Sequence, residues 1–82
     1  MNIKAEMKRK NRLDELCVGE RGRVGELLCE GNIRRRLLDV GLAPGTEVIC
    51  VGRSPLGDPS AYLVRGCEIA IRKRDAHGIA LI

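Results

Sequence analysis

The stretch Gly31-Asn32-Ile33-Arg34-Arg35-Arg36-Leu37-Leu38-Asp39-Val40-Gly41-Leu42-Ala43-Pro44-Gly45-Thr46-Glu47-Val48-Ile49-Cys50-Val51-Gly52-Arg53 decides the fold, because it reads as a helix, a turn and a strand with their stops. Asn32 can offer its side-chain oxygen to an orphan N–H of a helix's first turn, and Gly41 sits where a left-handed residue ends one. Between them Ile33, Leu37 and Val40 fall at i, i+4 and i+7, which predicts a helix of about two and a half turns. A helix that short must pack its apolar face to persist. Ala43-Pro44-Gly45-Thr46 predicts a type II turn, with Pro44 presetting φ and Gly45 supplying φ > 0. Glu47 to Arg53 then suits a strand, Val48 and Cys50 on one face and Ile49 and Val51 on the other.

Upstream, residues 1–12 hold Lys4, Lys8, Arg9, Lys10 and Arg12 against Glu6 and have no apolar period, so a flexible basic lead-in is expected. Leu13 and Leu16 open the domain, Val18-Gly19 signals a turn, and Gly22 to Leu28 has strand-compatible spacing. Downstream, the prolines and glycine of Ser54-Pro55-Leu56-Gly57-Asp58-Pro59 forbid a ladder. Ala61–Val64 and Cys67–Arg72 form a predicted hairpin across Arg65-Gly66, with Cys67, Ile69 and Ile71 facing one way and Glu68 and Arg72 the other. A polar turn at Lys73–Ala76 and a last strand at His77–Ile82 complete the chain. The fold expected is therefore mainly β: about five short strands with one short inserted α-helix, closing into a small barrel over residues 13–82.

Composition narrows function. The chain has 82 residues and a formal charge of +4, and Tyr62 is its one aromatic residue. Readers that stack bases or grip proline-rich peptides line their sites with aromatics, so neither class fits. A domain this small has little interior to spare for an enclosed substrate pocket. No run approaches the roughly 20 apolar residues of a membrane span, and the first residues lack the apolar centre of a signal peptide. A monomer in the cytoplasm, without membrane insertion, is expected. The modest positive charge suits an acidic protein partner; no nucleic-acid partner is expected, although a basic barrel binding RNA by charge alone is a weaker alternative.

Catalysis and cofactors find little support. His77 is the sole histidine and belongs to no triad-like set, and no phosphate-binding glycine motif occurs, so a non-catalytic protein without cofactor is expected. A transition-metal site or iron sensor would have to gather Cys17, Cys29, Cys50, Cys67 and His77 from distant positions. Against it, Cys50 and Cys67 occupy apolar strand positions, where cysteine behaves as a small hydrophobe. Arg34-Arg35-Arg36 places three cations near the positive end of a helix dipole, which reads either as a solvated face or as a contact for an acidic surface. In the Pro55-Leu56-Gly57-Asp58-Pro59 loop, Leu56 either folds back on the core or is presented to a partner on a stiffened frame.

The run from Gly31 to Val48, the loop Ser54-Pro55-Leu56-Gly57-Asp58-Pro59, and Val64-Arg65-Gly66 followed by Ile69-Ala70-Ile71-Arg72 together resemble the FeoA family of ferrous-iron-transport accessory proteins. The similarity covers about Leu13 to Ile82, with Asn32, Gly41, Pro44, Gly45, Pro55, Gly57, Pro59 and Gly66 as its structural marks. It implies an SH3-like β-barrel that binds the cytoplasmic part of FeoB, the membrane ferrous-iron transporter. Arg34, Arg35, Arg36, Leu56 and Asp58 are then the candidate partner contacts. Transition-metal binding goes with the family, but no ligand set is fixed by these motifs, and no catalytic residue is carried over. Cys17 and Cys67 depart from the family pattern.

Overall fold

A computed structural model describes residues 10–82. In chain order these are a 3-10 turn at Leu13–Glu15, β1 at Arg21–Leu27, α1 at Gly31–Asp39, β2 at Glu47–Arg53, β3 at Ser60–Val64, β4 at Cys67–Ile71, α2 at Lys73–His77 and β5 at Ile79–Leu81. The strands form one antiparallel sheet in the order β4-β3-β2-β1-β5. The mainly β fold with five strands and a helix inserted after the first is as expected.

The central meander follows from residue alternation. Val48 and Cys50 on β2 face inward opposite Val64 and Tyr62 on β3, and all four side chains are buried. Arg65 and Gly66, with φ of 51° and 84°, make the two-residue turn that joins β3 to β4 and sets Val64 opposite Cys67. Positive φ at both positions matches the right-handed twist of the flanking strands. Val24 and Leu27 on β1, Ile71 on β4 and Ile79 on β5 complete the inner face, and Leu13, Leu16 and Leu42 cover it. Tyr62 lies at the centre of this aliphatic core with its hydroxyl 3.5 Å from the Leu13 carbonyl, and burial pushes its phenol pKa up.

The turn before β2 forms as expected: the Thr46 N–H donates to the Ala43 carbonyl at 3.1 Å, with Gly45 at φ 93°. The C-terminal stop of α1 is also as expected. Gly41, at φ 106°, donates to Leu38, and the Leu42 N–H reaches back to Leu37, so two carbonyls that the helix leaves open are satisfied. The entry differs. The helix already includes Gly31, no side chain caps it, and Asn32 lies inside the first turn; Gly31, at φ 64°, makes the bend in the backbone instead. The buried face differs too. Leu37 is buried, but Ile33 and Val40 stand exposed.

Three other expectations are corrected. Lys73–Ala76 is not a turn before a long strand: Lys73–His77 is a short helix, and β5 is confined to Ile79–Leu81. The helix forms because Ala76 fits wholly into the core and the Asp58 carboxylate accepts from the Lys73 N–H at 2.8 Å. Cys67, at the mouth of the hairpin, is exposed rather than buried. The basic lead-in over 1–12 lies largely outside the described residues, but Asn11 and Arg12 are built into the fold. Arg12 pairs with Ala80, Leu81 N–H donates to the Asn11 carbonyl, and the Arg12 guanidinium donates to the His77 carbonyl at 2.8 Å.

Candidate interaction surface

The loop between β2 and β3 is braced from within and carries Leu56 outward. Gly57 N–H donates to the Ser54 carbonyl and Ser54 N–H to the Pro59 carbonyl, while the Ser54 hydroxyl accepts from Asp58 N–H at 3.1 Å. Asp58 in turn ties the loop to α2 through Lys73. At the base, Arg53 donates to the Ser60 hydroxyl at 2.9 Å and to the Leu16 carbonyl at 2.8 Å. Leu56 at the tip is 93% exposed. Leu56 therefore does not fold back on the core. The carboxylate of Asp58 holds the frame, and Leu56 is the loop's one large exposed apolar side chain.

Arg34, Arg35 and Arg36 are exposed on α1, and none takes part in an ion pair among the described residues. Because the helix ends at Asp39, Arg36 falls in its last turn, where a cation is favoured by the dipole; Arg34 and Arg35 lie further in. The dipole conflict read from the sequence is therefore smaller than three arginines suggested. Beside them, Ile33 and Val40 add partly exposed apolar surface. Between α1 and β4 runs a groove of about 170 Å³ lined by Arg36, Leu37 and Val40 on one wall and Ile69, Ala70, Ile71 and Arg72 on the other. Neither the groove nor this apolar surface is legible in the sequence, because periodicity groups Ile33 with Leu37 and Val40 but says nothing of what faces them.

The candidate metal ligands do not assemble. Cys50 is buried, Cys17 and Cys67 are exposed, and Cys29 is half-buried against Gly78. His77 is engaged elsewhere, its Nδ1 lying 3.2 Å from the Asp14 carboxylate, whose other oxygen is 3.5 Å from Lys73 Nζ. Among the described residues no three of His, Cys, Asp or Glu come together. No described helix is long and apolar enough to cross a membrane.

Comparison with known proteins gives this surface a context. The model of the FeoA domain matches residues 11–81. The chain belongs to the FeoA family. This FeoA domain is 31% identical over 65 residues to the Fe(2+) transport protein A/Fe(2+) transporter FeoB fusion protein of Porphyromonas gingivalis, an alignment that covers 79% of this chain and 8% of the fusion protein. The solution structure of a FeoA-like protein from Clostridium acetobutylicum superposes with a TM-score of 0.81 at 32% identity, over 92% of this chain and 88% of the other. The zinc complex of FeoA from Stenotrophomonas maltophilia, described as a procaryotic SH3 domain protein, superposes with a TM-score of 0.73 at 27% identity, over 90% and 91% of the two chains. The five-stranded sheet of this FeoA domain is thus an SH3-like fold, and its family is one of accessory domains of ferrous iron transport.

Proposed function

We propose that this FeoA domain is a non-catalytic accessory protein of ferrous iron uptake that binds the cytoplasmic portion of a FeoB-type transporter. The observation that carries the reading is Leu56, a fully presented apolar side chain on a loop already ordered by Ser54, Asp58 and Arg53. Ordering costs at an interface fall when the contact is preorganised, so a braced exposed leucine is suited to docking. The arginines of α1, in no ion pair among the described residues, supply a second contact for an acidic surface. The fused transport protein of Porphyromonas gingivalis supports the choice of partner, since there an iron transport protein A and a FeoB transporter share one polypeptide.

The test is calorimetric titration of the purified transporter cytoplasmic domain with the wild-type chain and with Leu56→Ser. Loss of one well-packed leucine at an interface is expected to weaken binding by about tenfold or more, with unfolding stability unchanged because Leu56 touches no core. Charge reversal of Arg34 and Arg35 is expected to weaken it further and to flatten its dependence on salt, because the attraction that salt screens is removed. Equal affinity for all variants would remove both surfaces from the interface.

A further inference from the structure

The two outer strands of the sheet are treated differently by the chain. The outer edge of β5 is covered, because Arg12 bridges to Ala80 and the Asn11 carbonyl accepts from Leu81. Among the described residues the outer edge of β4 has no such cover. A two-residue hairpin places its flanking residues in a hydrogen-bonded pair, and such pairs alternate along an antiparallel ladder. With Val64 opposite Cys67, the bonded pairs are Val64 with Cys67, Tyr62 with Ile69, and Ser60 with Ile71. Glu68 and Ala70 therefore turn their N–H and C=O groups away from β3, and neither residue makes another hydrogen bond among the described residues. Exposed edges of this kind are templates for an added strand.

That edge opens on the groove beneath α1. Its apolar walls come from Leu37, Val40 and Ile69, and Arg36 and Arg72 stand along it, neither paired with a carboxylate among the described residues. Asp75 is the one acidic side chain lining it. We infer that the β4 edge and the α1 groove together take an extended acidic segment of another protein as an added strand. The backbone of the segment pairs with Glu68 and Ala70, apolar side chains at its centre meet Leu37, Val40 and Ile69, and acidic residues at its ends meet Arg36 and Arg72. A second copy of this chain is the wrong occupant, since pairing two β4 edges brings one arginine-lined groove onto another, and like charges in close juxtaposition oppose association. The site is separate from the Leu56 loop and does not depend on the transporter being the partner.

The probe is an acetylated, amidated octapeptide, Glu-Asp-Val-Thr-Val-Thr-Asp-Glu, titrated into the isotopically labelled chain. Binding is expected to protect the Glu68 and Ala70 amides from exchange and to be weakened about tenfold or more by the double variant R36E/R72E. Methylating alternate peptide nitrogens tests strand addition directly: in one register the donors facing β4 are lost and affinity falls at least about tenfold, in the other it is retained. Ala70→Pro, which removes an edge N–H, is expected to abolish protection at that edge. The methylated peptides carry the test if this variant fails to fold. No binding, equal loss in both methylation registers, or protection confined to other strands would overturn the inference. Binding of the transporter domain is scored separately with Leu56→Ser, so either result stands without the other.

Discussion

The two helices of this domain use their side chains in opposite ways. Helix α2 spans only Lys73–His77, yet both of its ends are tied to the fold: Asp58 accepts from Lys73 N–H, the Asp14 carboxylate lies against Lys73 Nζ and His77 Nδ1, and Arg12 donates to the His77 carbonyl. Ala76 is completely buried. Helix α1 is longer, yet only Leu37 is buried, with Leu38 half-buried against the core; Ile33 and the following Val40 are exposed, and none of its three arginines makes an ion pair among the described residues. A five-residue helix cannot hold itself together, so α2 exists only through tertiary contacts. Helix α1 is the less tied of the two, and its exposed arginines are the ones proposed above as a second contact for a partner.

The largest effect that tests this contrast is expected at Ala76. Ala76→Asp forces a carboxylate into a site with no room or partner for it, and a loss of about 3–5 kcal/mol in urea unfolding is expected. A loss below about 1 kcal/mol would show that α2 can lift from the core cheaply, and the contrast would fail. Next comes a paired measurement on α1. Leu37→Ala should cost about 2–3 kcal/mol as a core truncation, whereas Ile33→Ser, one turn away on the same apolar period, should stay within about 0.5 kcal/mol. Equal losses at both positions would mean that α1 is packed along its whole face.

How much of this was open to sequence reading differs between the same two regions. Strand β2 and the β3–β4 hairpin are legible because alternation and turn chemistry are local: Val48, Cys50, Arg65 and Gly66 act where their neighbours place them. The length and C-terminal stop of α1 are legible for the same reason, through Gly41. Its burial is not. Period puts Ile33, Leu37 and Val40 on one face, but whether a strand covers all of that face depends on where β4 ends up. Helix α2 is too short to show a period, and the groups that hold it, Asp14 and Asp58, are far away in sequence. The exposure of Cys67 is likewise positional: it stands opposite the buried Val64, but on the outer strand beside the turn, where no further strand flanks it among the described residues. For Leu56, the prolines predict a stiff loop without saying which way the leucine points, and hydrogen bonds from distant Lys73 and nearby Ser54 decide it.

The smallest effect expected is a pH dependence confined to the α2 side. The Glu15 carboxylate accepts from the backbone N–H groups of Asn11, at 2.7 Å, and Arg12, at 3.2 Å, and these bonds hold its pKa below the ordinary 4.5. A carboxyl with a depressed folded pKa binds its proton more readily in the unfolded chain, so its contribution to stability is complete above 4.5 and is lost as pH falls through the lower folded value. Asn11 and Arg12 are the residues that cover β5 and hold His77, so protonation should loosen that edge before any other. Hydrogen exchange between neutral pH and pH 3 is expected to show Leu81 losing protection while the amides of α1 change little beyond the intrinsic pH dependence. Glu15→Gln should remove the acid-specific part of the loss at Leu81. If the α1 amides open in step with Leu81, the two sides melt as one unit and their separate roles in stability cannot stand.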